Sequence, residues 1–105
     1  MALVLTLRTG QDFFVGEVCF VVEEVLSPVR FRLHEFPSGH GGLTQPRSFE
    51  ITDARATEIM PDVLVAAGCN APKASARIVI EAPPEVLILR GATKRKLAPQ
   101  VLAPQ

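Results

Sequence analysis

Two arginines frame the stretch "ARIVIEAPPEVLILRG", from Ala76 to Gly91. Arg77 precedes the apolar run Ile78–Ile80, Arg90 follows the run Val86–Leu89, and Glu-Ala-Pro-Pro-Glu lies between the runs. A guanidinium is a permanent cation with a planar fork of donors, suited to grip a phosphate or the edge of a base. Arg90 also opens "RGATKRK", a cluster with Lys94, Arg95 and Lys96 that can attract phosphates or serve only as a solvated surface. Covalent and metal chemistry find little support. Cys19 and Cys69 stand at no metal-ligand spacing, and His34 and His40 have no Cys or carboxylate at ligand spacing. No nucleophile–base pair can be read. The residues point to a binder without a cofactor or a metal, not to an enzyme.

Charge distribution agrees. The formal net charge is zero, but residues 1–76 carry six Lys/Arg against nine Asp/Glu, while residues 77–105 carry five against two. The C-terminal part is therefore basic. At 105 residues the chain is one domain's worth, rich in Val, Leu, Ile and Ala, with no Trp or Tyr and six Phe. So small a domain buries a limited share of its surface, and oligomerisation is the expected supplement. "MALVLTL" is interrupted by Arg8 and Gly10, too early for a signal-peptide core, and no apolar run reaches the ~20 residues of a membrane helix. A soluble, cytoplasmic protein is expected.

The elements that must position the arginines read mostly as strands. "ALVLTLRTG" and "DFFVG" are β-rich runs closed by Gly10 and Gly16. "EVCFVVEEV" is apolar on both faces until Glu23, as in a central strand, with Cys19 expected in the core. "VRFRLHEF" alternates Val29, Phe31 and Leu33 against Arg30, Arg32 and His34. "PSGHGGLTQP" (37–46) reads as a loop and "SFEIT" as a further strand. From Asp53 to Ala67 the apolar positions Ala56, Ile59, Met60, Val63, Leu64 and Ala67 predict a helix, with Asp53 as cap and Gly68 as stop. Pro61 is a defect in that helix, and "DVLVAA" as a strand is the alternative. The opening stretch reads as a strand, a stiff Ala-Pro turn and a second strand, a short hairpin. A mobile Pro-containing tail is expected over 98–105.

Several of these residues resemble a known family. "LVLTLRTGQ", then "FFVG", then "EV…VR" and finally "RIVIEAPPEVLILRG" are similar to the carbon storage regulators (CsrA/RsmA), bacterial post-transcriptional regulators that bind RNA. The family pattern runs Leu-(Ile/Val)-Leu-Thr-Arg-(Arg/Lys)-x-Gly-Glu, then Ile-Gly, a long strand, and Val-Arg-Ile-Gly-Ile-x-Ala-Pro. Thr6, Gly10, Arg77, Pro83 and Arg90 stand at its intervals, and the likeness covers about half the chain, at its two ends. Leu7 replaces the first arginine, Gln11 the usual Glu, and Gly91-Ala92 the acidic pair after the last strand.

The resemblance implies a mainly β, intertwined (strand-swapped) homodimer. In it, the first strand of one protomer and the last of the other hold single-stranded or looped RNA containing GGA. Carried over, the RNA-binding set is Leu5, Thr6 and Arg8 on one side and Ala82, Pro83, Val86, Ile88 and Arg90 on the other. Arg77 takes the place of the family's strand-4 arginine, and Lys94 adds an electrostatic contact. The implied partners are mRNA or small regulatory RNA, a second copy of the chain, and a protein antagonist. The chain exceeds the family's length. One placement is a single domain over 1–97 with an inserted loop and short helix at about 36–74. The other is a partial tandem copy, with "EVLSPVRFRLHEFP" as a first, eroded unit, which permits a pseudo-symmetric monomer. The insertion is the preferred expectation, because Arg30 lacks the Ala-Pro spacing that Arg77 keeps. A regulator-like scaffold that has lost RNA and binds a protein is the rival in function.

Overall fold

Alternating apolar residues build nearly everything in this protein. The computed structural model describes residues 2–36 and 47–94. Their strands are β1 (Ala2–Arg8), β2 (Asp12–Val15), β3 (Val18–Ser27), β4 (Arg30–Phe36), β5 (Ser48–Thr52), β6 (Thr57–Met60), β7 (Val63–Ala67), β8 (Ser75–Glu81) and β9 (Ile88–Arg90). The strands form two antiparallel sheets, a four-stranded one in the order β1-β8-β7-β6 and a five-stranded one in the order β5-β4-β3-β2-β9. Residues 91–94 add one helical turn. The mainly β reading is correct.

The core lies where the inward faces of the sheets meet. Phe13, Phe20, Phe31, Leu33 and Ile51 face it from the five-stranded sheet, and Leu5, Leu7, Val65, Ile78 and Ile80 from the four-stranded one. The rings of Phe13 and Phe20 stack with centroids 5.5 Å apart. β3 is the middle strand of its sheet, as its two apolar faces imply. Cys19 is not a core residue. It is half-buried beside the core-facing Phe20, and its thiol lies 3.4 Å from Asp12 Oδ2.

The helix expected over 53–67 is absent, and β6 and β7 occupy that span as a hairpin. Apolar residues at 59, 60, 63, 64 and 67 satisfy a helical period, but they also fit two short strands joined at a turn. Pro61 and Asp62 are that turn. Asp62 takes φ 65°, a left-handed conformation that Asp tolerates better than most residues, and its N–H donates to Glu58 Oε2 at 3.0 Å. Beyond the turn, Val63, Val65 and Ala67 are buried in strict alternation. The span 36–74, expected as an insertion, thus supplies β5 to one sheet and β6 and β7 to the other. His40 and the loop 37–46 lie outside the described residues, as do Arg95, Lys96 and the tail 98–105.

The hairpin expected around Pro83-Pro84 is also corrected. β8 is bonded on one side to β1 and on the other to β7, so it has no free edge for β9. Residues 82–87 instead carry the chain from the four-stranded sheet to the five-stranded one, where β9 pairs with β2. At the other end of β1, Gly10 performs a similar transfer with φ 89°, a conformation that costs glycine little.

Candidate nucleic-acid interface

β1 and β9 are the outermost strands of different sheets, yet they meet. Arg90, the last residue of β9, donates from Nη1 to the backbone oxygen of Thr6 on β1 at 3.3 Å. β1 spends its other edge on β8, so the Thr6 carbonyl looks out from the free edge. The side chains alternate along β1. Leu5 and Leu7 enter the core at 5% and 3% exposure, Thr6 is half-buried, and Arg8 is exposed. Leu7 points inward, where an unpaired charge is costly. Arg8 takes the outward place. Its backbone N–H donates to Gln11 Oε1 at 2.8 Å and so closes the turn into β2.

Beside this junction lies an apolar groove of about 320 Å³, lined by Ala2 and Leu3 of β1 and by residues 82–88. Pro83 and Pro84 fix the backbone of that wall and offer it no N–H. Val86 closes the turn by donating its N–H to Pro83 O at 3.0 Å, and Gly16 N–H bonds Leu87 O at 2.8 Å, which ties the wall to the β2–β3 turn. In the groove wall Leu87 is 61% exposed, and Val4, on β1 outside the lining, is 53% exposed. On the far side of Arg90 a smaller recess of about 170 Å³ is bordered by Gly10, Gln11, Asp12 and Ala92. An apolar slot, a strand edge and a cation therefore follow one another in space.

Of the residues expected in the interface, Ala82, Pro83, Val86 and Ile88 line the groove, while Thr6 and Arg90 meet each other and Arg90 lines the smaller recess. Leu5 is a correction: its side chain belongs to the core. Arg77 is paired with Thr6 across the β1–β8 ladder and lines neither recess. Its stem packs on Gly68, where an added Cβ would lie 2.9 Å from Arg77 Cγ, and its Nε is buried with no hydrogen-bond partner among the described residues. Lys94 sits over the Phe14 ring at 5.4 Å from its centroid and 3.6 Å from Glu17 Oε2, so part of its charge is already engaged. Sequence reasoning missed Ala2, Leu3, Pro84, Glu85 and Leu87. The first two carry no signal of their own, whereas an apolar Leu87 next to a double proline is a detectable one.

Three other outward arginines are held in ion pairs. Arg30 is paired with Glu50, Arg32 with Glu24 at 2.8 Å, and Arg47 with Glu35 at 2.8 Å. The hydrogen bond and the charge of Glu35 both raise the Arg47 pKa above its ordinary value. Among the described residues no group of three His, Cys, Asp or Glu is placed to hold a metal ion, and no helix is long and apolar enough to cross a membrane. Comparison with protein-family models, with curated proteins and with solved structures gives no match for this chain.

Proposed function

We propose that this protein is an RNA-binding post-transcriptional regulator of the carbon storage regulator type, and that it grips looped, GGA-containing mRNA or small regulatory RNA between β1 and β9. The observation that carries the reading is the Arg90–Thr6 junction, where a cation and a free strand edge lie beside an apolar groove. Single-stranded RNA is recognised through splayed bases, by stacking and by hydrogen bonds to their edges. A free strand edge offers backbone N–H and C=O groups for those edges. The groove between Leu3 and Ile88 offers a dry surface for a base, and Arg90 supplies a phosphate contact or a planar group to stack on. Bound at a ribosome-binding site, the protein blocks translation, and a decoy RNA relieves the block. The resemblance implies walls contributed by two protomers of a homodimer. In this chain β1 and β9 meet without a second copy.

The exposed Leu87 and Val4 favour a second reading, a scaffold that receives an apolar segment of a protein, such as an antagonist or a family member in a mixed dimer. Salt separates the two. Each phosphate neutralised on a single strand lowers log K by roughly 0.7 per tenfold rise in salt, while apolar docking has no such slope. A gel-shift titration with a GGA-loop hairpin and its scrambled control, at two salt concentrations, is the test. Preference for the hairpin with a steep salt dependence is expected. Equal, weak retention of both RNAs overturns the RNA reading.

A further inference from the structure

The two sheets have the same plan. Exchanging β1 with β5, β2 with β6, β3 with β7 and β4 with β8 converts the order β1-β8-β7-β6 into β5-β4-β3-β2, which is the five-stranded sheet without β9. The registers obey the same exchange. Leu5 and Thr6 stand opposite Ile78 and Arg77, and Ile51 and Thr52 stand opposite Phe31 and Arg30. Val22 opposes Leu33 in one sheet as Val65 opposes Ile80 in the other. Burial follows: Phe31, Leu33 and Glu35 are inward on β4, as Ile78, Ile80 and Ala82 are on and just after β8. Even the contacts between sheets correspond, since β1 packs on β3 and β5 packs on β7.

We infer that this chain is a single-chain pseudo-dimer, in which residues 2–36 and 48–81 stand as two protomers that have exchanged first strands, and that it presents one nucleotide cleft per chain. The exchange is reciprocal and complete: β1 belongs to the sheet of the second half and β5 to the sheet of the first. Among the described residues no first strand is left over for a second copy. The single cleft follows from the residue at the inward position after the shared register, Ala82 in one half and Glu35 in the other. The place related to the Ala82 groove by the exchange is also built differently, because there a buried Glu35 holds Arg47 in two hydrogen bonds, of 2.8 and 3.1 Å. That cation, itself exposed, is paired with a buried carboxylate, whereas Arg90 is bonded to an uncharged carbonyl.

The self-contained fold stands on topology alone, while the count of clefts rests on the RNA reading. Native mass spectrometry of the full chain, alone and with a hairpin carrying one GGA loop, tests both. The expected species are the 11.4 kDa monomer across micromolar concentrations and, with RNA in excess, one hairpin per chain. A stable dimer of the free chain overturns the pseudo-dimer. A monomer that takes two hairpins overturns the single cleft. A monomer that takes none supports the self-contained fold and removes the RNA reading.

Discussion

At one end of the molecule β1 meets β9, and Arg90 reaches the Thr6 carbonyl beside a groove whose buried wall residue is Ala82. At the register-related end, β5 runs beside β4, the buried residue is Glu35, and Arg47 closes over it and onto the Ile59 carbonyl at 3.3 Å. Both ends hold an arginine against a strand, but the charge is used in opposite ways. Arg47 is consumed by a carboxylate that is 6% exposed, so it secures the fold. Arg90 is exposed, and the bond it makes is to an uncharged carbonyl, so its charge is available to a ligand. One strand plan can therefore carry a structural arginine and a binding arginine, and the partner at the inward position decides which.

The largest effect comes from the core that both halves share. Phe31 and Ile78 are register equivalents, both fully buried. Phe31→Ala is expected to cost about 3–5 kcal/mol and Ile78→Ala about 2–5 kcal/mol. Each variant should shift one cooperative transition in denaturant. Separate transitions for the two halves would break the equivalence. Next, Arg90→Ala should leave the melting temperature unchanged, because the side chain is exposed. Loss of a charged hydrogen bond of about 1.5–3 kcal/mol predicts roughly a tenfold to hundredfold weaker hairpin affinity by fluorescence anisotropy. Unaltered affinity removes Arg90 from the site.

Arg47→Ala should do the reverse. It strands the Glu35 carboxylate at a half-open site, for a loss of about 1–2 kcal/mol, read as a drop of several degrees in thermal unfolding, with hairpin affinity unchanged. A lost affinity with stability intact would erase the contrast between the ends. The smallest effect is that of Lys94→Ala. Its ammonium is already shared with Phe14 and Glu17, so affinity should fall by less than for Arg90→Ala and equally for all RNAs. A changed preference among RNAs would show that residue 94 reads sequence.

Much of this was legible from the residues. Strict alternation identified β4 through Phe31 and Leu33, and the two-faced run 18–22 identified β3 as a central strand. The segment 53–67 was misread because five apolar residues fit a helical stripe as well as two strands, and only the left-handed φ at Asp62 settles the choice. The defect at Pro61 was the clue, since a residue without an N–H suits a hairpin turn better than a helix interior. The Ala-Pro connection looked local because sequence shows which runs are strands but not which neighbours are taken. β8 already had two. Ala82, Pro83, Val86 and Ile88 of the groove stand in the set that the resemblance implies, and Leu5 stands in it too although its inward phase on β1 places it in the core. The pairing of β1 with β8 joins residues far apart in the chain, from Ala2 with Glu81 to Arg8 with Ser75, and no local pattern encodes it.

The most direct test of a nucleotide cleft between β1 and β9 is a backbone amide NMR titration of the full chain with the GGA-loop hairpin. The account predicts shifts concentrated at residues 3–8 and 85–90, with Thr52, Arg47 and Glu58 at the related end undisturbed. Shifts centred on β5 and β6, or spread evenly over both ends, would contradict it.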